Sequence, residues 1–159
     1  MAFDVVANNT HNIAFPSNVL SARGGKHIFD VTLTANHDNG TLVNLGSWNS
    51  FDNYTEAAVA STNSFAGIIR MEDSTNPGNW FVEVTADTDL VFLYNSPVSP
   101  YPEEKLQNEA LFYNAIGDVV KGYGLAKFDK IELSTSAFSG TPVEGKSVTY
   151  ANGKYVVGN

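Results

Sequence analysis

Apolar and polar residues alternate with a period of two along much of this chain, the periodicity of a half-buried β-strand. His27-Ile28-Phe29-Asp30-Val31-Thr32-Leu33-Thr34 is the clearest case. Asp38-Asn39-Gly40 follows, a turn whose central residues tolerate positive φ. It predicts a hairpin that returns through Thr41-Leu42-Val43-Asn44-Leu45 and ends at Gly46. Residues 66–71 and 80–85 predict a second pair across the turn-rich segment 72–79. Leu90-Val91-Phe92-Leu93-Tyr94 is apolar without a break, which suits a strand buried on both faces. Further strands are predicted over 119–123 and over the strictly alternating Lys130-Ile131-Glu132-Leu133-Ser134, and a terminal hairpin over 147–157 turns on Asn152-Gly153. Helices are predicted at two places only. One is the alanine-rich stretch 54–60; the other is 103–111, where carboxylates follow Pro100 and Pro102 as a helix N-terminus favours.

Turn signals at this spacing point to an all-β fold: a small antiparallel β-sandwich or barrel with one or two short helices. Residues 1–24 lack a period, and Pro16 breaks any helix there, so they read as an extended N-terminal arm ending at a hinge, Arg23-Gly24-Gly25. Residues 25–159 form the β-rich domain, with a subdivision expected near 96–102, where prolines cluster.

Composition narrows the function. Among 159 residues, 43% are apolar and 16% charged, which fits one folded core and excludes a disordered chain. The net charge of -8 comes without any basic run, so neither nucleic acid nor an anionic membrane surface is an expected partner. Cysteine is absent, which removes disulfides, thiolate metal sites and thiol nucleophiles. The first fifteen residues show neither the basic start nor the apolar run of a signal peptide, and no stretch approaches a membrane span.

No catalytic residue, cofactor site or metal site stands out. A nucleophile elbow is missing, and His11, His27 and His37 are isolated, the pattern of structural or solvated imidazoles. His37-Asp38 in one turn is not a ligand shell. Glu72-Asp73 and Asp87-Thr88-Asp89 lack the alternating oxygens, central glycine and final glutamate of a calcium loop and are expected to cap turns. Two carboxylates facing one cleft would permit glycoside hydrolysis, and a protein that works only by adhesion needs no deep cleft of converging ionisable groups. Trp48 and Phe51 lie in the Ser/Asn-rich segment 46–52 and are candidate surface aromatics, while Trp48 or Trp80 could stack on a sugar ring.

The C-terminal part carries a resemblance. Leu111-Phe112-Tyr113-Asn114, Gly117-Asp118-Val119-Val120-Lys121-Gly122-Tyr123, Phe128-Asp129-Lys130-Ile131-Glu132-Leu133-Ser134, Ala137-Phe138, Gly140-Thr141-Pro142-Val143, Gly145-Lys146 and Asn152-Gly153-Lys154 are turn and strand motifs. Over roughly residues 90–159 they resemble head decoration (cement) proteins of tailed bacteriophages, encoded beside the major capsid protein. Phe128-Asp129 stands where that family opens a strand with Gly-Asp, and Gly122 where an arginine often precedes the tyrosine; the first is expected in a turn and the second at the surface. The resemblance implies a β module on the outside of an icosahedral head, made in the host bacterial cytoplasm, binding the major capsid protein and clustering as a homo-oligomer, a trimer at three-fold positions. The arm would then dock on the capsid through Val5, Ile13, Phe15, Val19 and Leu20. A carbohydrate-binding module for host or glycan adhesion is the alternative.

Overall fold

The computed structural model of the chain describes residues 2–4, 10–23, 27–57, 65–97 and 109–158. Its strands form two curled sheets stacked as a sandwich, the all-β architecture that the alternation predicts. In the six-stranded sheet, β3 (Ile28–Thr32) pairs antiparallel with β11 (Val119–Gly124) and parallel with β6 (Asn53–Glu56). β9 (Val91–Tyr94) and β4 (Leu42–Val43) continue beyond β11, and β5 (Leu45–Ser50) beyond β6. Asn44 alone separates β4 from β5, which stand at opposite edges of the strand order, so this sheet bends back on itself. The bend encloses a small core of Val31, Leu33, Val43, Val91, Leu93 and Val120.

The seven-stranded sheet contains two of the three predicted hairpins. β7 (Gly67–Glu72) pairs with β8 (Asn79–Val84), and β14 (Ser147–Ala151) pairs with β15 (Lys154–Val157) across Asn152 and Gly153 at φ 52° and 75°. β12 (Lys130–Ser134) joins β8 to the edge strand β2 (Ala14–Asn18), while β13 (Phe138–Ser139) runs parallel to β15. A short β1 (Ala2–Phe3) ties the N-terminal end to β10 (Phe112–Tyr113). Between the sheets, Phe65, Ile69, Val82, Phe92, Ile131, Leu133 and Tyr155 form the main core. β9 serves both cores: Phe92 packs with the second sheet while Val91 and Leu93 fill the bend of the first. That double burial explains its unbroken apolar run.

Several expectations change. β3 and β4 are not hairpin partners. The Asn39-Gly40 turn exists, but the buried Asn39 side chain donates to Asn95 O (2.9 Å) and accepts from Asn95 N (3.0 Å), while Gly40 N donates to Leu93 O (2.8 Å). The turn is thus fastened to β9, and the chain crosses to that strand instead of returning along β3. Only glycine fits at position 40, where φ is +89° and a Cβ would stand 2.7 Å from that of Ala14.

Residues 53–56, partly assigned to a helix, are strand β6, drawn into the sheet by its parallel register with β3; residues 58–60 lie outside the described residues. Of the second predicted helix, only the single 3-10 turn Glu109–Leu111 is described. Residues 14–23 of the proposed arm are β2 and the 3-10 turn Leu20–Arg23, built into the second sheet, where an edge position tolerates Pro16. Strands on either side of 96–102 share both sheets, β11 beside β9 and β12 beside β8. Gly122 is buried, not at the surface: a Cβ would stand 2.9 Å from a Val31 methyl and 3.0 Å from a Val91 methyl. An arginine has no room there, so this departure lies in the core and not at a surface position.

Candidate functional site

One end of the sandwich presents aromatic rings on two strained turns. The turn from β5 to β6 places Phe51 at φ 41° with 89% of its surface exposed. Trp48, 65% exposed, donates its Nε1–H to Phe51 O at 2.6 Å and braces that turn from the strand side. Asp30 N donates to Asp52 O (2.8 Å), and the Asp52 carboxylate meets His27 Nε2 at 2.8 Å. The β11–β12 loop leaves the sheet beside the same histidine, because Gly124 N donates to His27 O (3.3 Å). In that loop the buried Asp129 carboxylate accepts from Ala126 N (2.8 Å) and from Leu20 N (3.0 Å). Phe128 N donates to Val84 O (2.8 Å), and Val84 N donates to Asp129 O (2.8 Å). These bonds hold Phe128 at φ 79°, 67% exposed, with Lys127 Nζ 5.2 Å from its ring centroid.

Left-handed backbone costs a non-glycine residue about 1–2 kcal/mol, and an exposed phenylalanine recovers little of it by burial. Among the described residues the positive-φ positions without glycine are Phe51, Phe128 and Asn152, and only the last is a residue type that turns favour there. Two bulky rings therefore stand where both backbone and solvent disfavour them, a combination that clusters at binding sites.

A cleft of about 810 Å³ opens elsewhere on the surface, lined by residues that include His37, Asp38, Glu56 and Tyr150. Ionisable groups do converge there, contrary to the expectation for a purely adhesive protein, but they are paired with one another. His37 Nε2 meets Glu56 Oε1 at 2.5 Å, and Glu56 Oε2 accepts from Thr34 N (3.0 Å) and Thr34 Oγ1 (3.2 Å). Asp38 Oδ1 meets His11 Nδ1 at 2.5 Å, and its Oδ2 accepts from Asn12 N (3.0 Å). The other ring nitrogen of His11 is bonded to Asp4, and Tyr113 stacks on its face at 4.9 Å. With a carboxylate at each nitrogen, His11 needs both hydrogens and is held as the imidazolium. Burial opposes that charge, yet the hydrogen bonds and charges of Asp4 and Asp38 outweigh it and raise the pKa. Asp38 and Glu56 are two carboxylates on one cleft, as glycoside hydrolysis requires. Every one of these four carboxylate oxygens accepts from a donor of this chain.

No family model, curated protein or solved structure matches this chain.

Of the proposed capsid contacts, Val5 lies outside the described residues. Val19 is fully buried in the main core, so its apolar surface is spent within the chain. Ile13 and Phe15 are half-buried, Ile13 held to Ser134 through both backbone groups and Phe15 tilted against Tyr94 at 6.4 Å. Leu20 is 42% exposed and adjoins the Phe128 loop through Asp129. Trp80 packs against the main core, which removes it as a free platform. Asp73 caps its own turn, taking Thr75 N (2.9 Å) and Thr75 Oγ1 (2.7 Å), whereas Asp87 takes Lys127 N (2.9 Å) from the distant β11–β12 loop. Those bonds, the Thr75 hydroxyl foremost, hold the Asp73 carboxyl well below the usual carboxylate range. Sequence reasoning missed Phe128, because nothing in Lys127-Phe128-Asp129 announces a left-handed residue, and missed Glu56, placed in a helix. Among the described residues no group of three or more His, Asp or Glu side chains is placed to hold a metal ion, and no helix is long and apolar enough to cross a membrane.

Proposed function

We propose that this chain is a structural virion protein that adheres to the outer surface of an icosahedral phage capsid, performs no reaction, and stabilises the shell by bridging copies of the major capsid protein. One observation carries adhesion: Phe51 and Phe128 are exposed on left-handed turns at the same end of the molecule, with Trp48 and Leu20 beside them. Folding of this chain gains little net stability from rings placed there, whereas aromatic anchors entering pockets on a partner dominate interface energies. The capsid as partner rests on the motif resemblance over residues 90–159. Binding the assembled shell better than free subunits stabilises it by mass action, and repetition over many lattice sites, as a trimer at three-fold positions, makes modest single contacts sufficient.

Undecorated heads of the phage that encodes this chain test the proposal. The purified protein is expected to co-sediment with them and to raise their disruption temperature. A double substitution, Phe51→Gly with Phe128→Gly, is expected to abolish both effects without unfolding the protein. Absence of binding by the wild-type chain removes the capsid assignment; undiminished binding by the folded double variant removes the aromatic end as the contact.

A further inference from the structure

Two dipeptides of this chain, Asn39-Gly40 and Asn152-Gly153, place glycine directly after asparagine. Glycine has no Cβ to keep its backbone nitrogen away from the preceding side-chain carbonyl, so the asparagine amide is open to attack from within the chain. The structure sets the two dipeptides in opposite surroundings.

Asn152 and Gly153 are the exposed tip of the β14–β15 hairpin, closed by the Ala151–Lys154 pair. The Asn152 side chain has no hydrogen-bond partner among the described residues, and Gly153 N lies outside the ladder. A Cβ built on Gly153 would meet no atom within 4 Å. Rotation of the left-handed Asn152 that brings its Cγ onto Gly153 N therefore displaces nothing packed. Asn39, in contrast, is 5% exposed and held at both ends of its amide. Its Nδ2 donates to Asn95 O (2.9 Å), and its Oδ1 accepts from Asn95 N and from Asn114 Nδ2, both at 3.0 Å. Gly40 N, the attacking atom, donates to Leu93 O (2.8 Å), and Gly40 O accepts from the Tyr155 hydroxyl (2.5 Å). Reaction there requires all of these bonds to break and water to enter the core.

We infer that Asn152 is a site of spontaneous isoaspartate formation and that the fold protects Asn39 from the same reaction. Gly153 N bonds to Asn152 Cγ, the Cγ–Nδ2 bond breaks, and ammonia leaves with the proton given up by Gly153 N. Water then opens the succinimide at either carbonyl, giving isoaspartate or aspartate, with an ionised carboxyl in place of the neutral amide. The isoaspartyl form also adds a methylene to the main chain of a two-residue turn. The new charge falls on the cleft wall that carries Lys154. None of this depends on the capsid assignment.

Peptide mapping by mass spectrometry tests the inference on the full chain, incubated in mildly alkaline buffer with and without urea. In buffer Asn152 is expected to convert, while Asn39 converts at least roughly a thousandfold more slowly than in urea, as befits a reaction that needs unfolding. In urea the two should react at comparable rates. Asn152→Gly, which leaves a turn that glycine favours, should abolish the reaction of the native chain at that turn. Tyr155→Phe should speed conversion at Asn39 about tenfold, by weakening the fold that guards it, and leave Asn152 unchanged. A native chain in which Asn152 is as inert as Asn39 overturns the inference. So does an Asn39 that reacts as fast in buffer as in urea.

Discussion

Phe128 offers a way to separate what a residue does for folding from what it does for a partner. Replacing it by glycine removes a left-handed strain of about 1–2 kcal/mol but adds about 0.5–1 kcal/mol of chain entropy to the unfolded state. The ring is 67% exposed, so about a third of the roughly 1.5–3 kcal/mol available from a buried phenylalanine is lost, near 0.5–1 kcal/mol. The contact with Lys127 at an exposed site adds about 0.5 kcal/mol to the loss. For Phe128→Gly these nearly cancel, leaving stability within about 1 kcal/mol of the wild type. Phe128→Ala suffers the same loss of ring contacts and keeps the strain, so it falls about 1–1.5 kcal/mol below wild type. Glycine should therefore exceed alanine at this position by about 0.5–1 kcal/mol, or roughly 1–4 °C in Tm for a chain of this length. Paired thermal and urea unfolding curves measure it. An alanine variant as stable as the glycine variant would refute the strain argument, and with it the reason for regarding the ring as placed for a partner.

Three further outcomes follow from the packing and the charges. Gly122→Ala pushes a methyl against Val31 and Val91 in the closed bend of the first sheet and should cost about 1–3 kcal/mol by urea unfolding. Tyr155→Phe deletes the buried hydroxyl that donates to Gly40 O at 2.5 Å; the orphaned carbonyl should cost about 1–3 kcal/mol, seen as a lower Tm with unchanged circular dichroism. His11 has a folded-state pKa raised above its ordinary 6.5, so its contribution is full below that value and is lost as pH rises through the raised pKa. Stability should accordingly decline on the alkaline side of pH 6.5, and His11→Gln should flatten that part of the pH profile.

The fold was legible wherever a strand obeys one rule along its length. β12 alternates cleanly because one face meets the main core, β9 is uniformly apolar because it lies between two cores, and the β14–β15 turn shows itself through Asn152-Gly153. Legibility failed where a long-range contact outweighs local preference. Asn39-Gly40 has the residues of a hairpin turn, yet Asn39 is bound to Asn95, 56 positions away, and the chain is diverted to β9. The alanine-rich run after Tyr54 looks helical, yet β6 is stabilised by its pairing with β3 and by Glu56 reaching Thr34 and His37. Val19 looked like part of an arm because irregular spacing does not reveal burial. Half of the aromatic end was readable: Trp48 and Phe51 stand among small polar residues, whereas the exposure of Phe128 depends on Asp129 gripping the amides of Leu20 and Ala126.

The acidity of the chain deserves a different reading from the one composition suggests. Taken alone, a charge of -8 describes a protein repelled by nucleic acid. The structure shows where much of that charge goes. Asp38, Glu72, Asp73, Asp87, Asp118 and Asp129 each accept from backbone amides in loops: Asn12 N, Gly78 N, Thr75 N, Lys127 N, Ala115 N, and both Leu20 N and Ala126 N. A β-sandwich with many connections leaves such amides unpaired by any strand, and a carboxylate satisfies them more strongly than a neutral acceptor does. Lysine cannot substitute, having no acceptor. The excess of acid thus follows in part from the number of loops, and it weakens net charge as evidence about the partner. It also ties recognition to the same bonds, since Asp129 holds Phe128 outward.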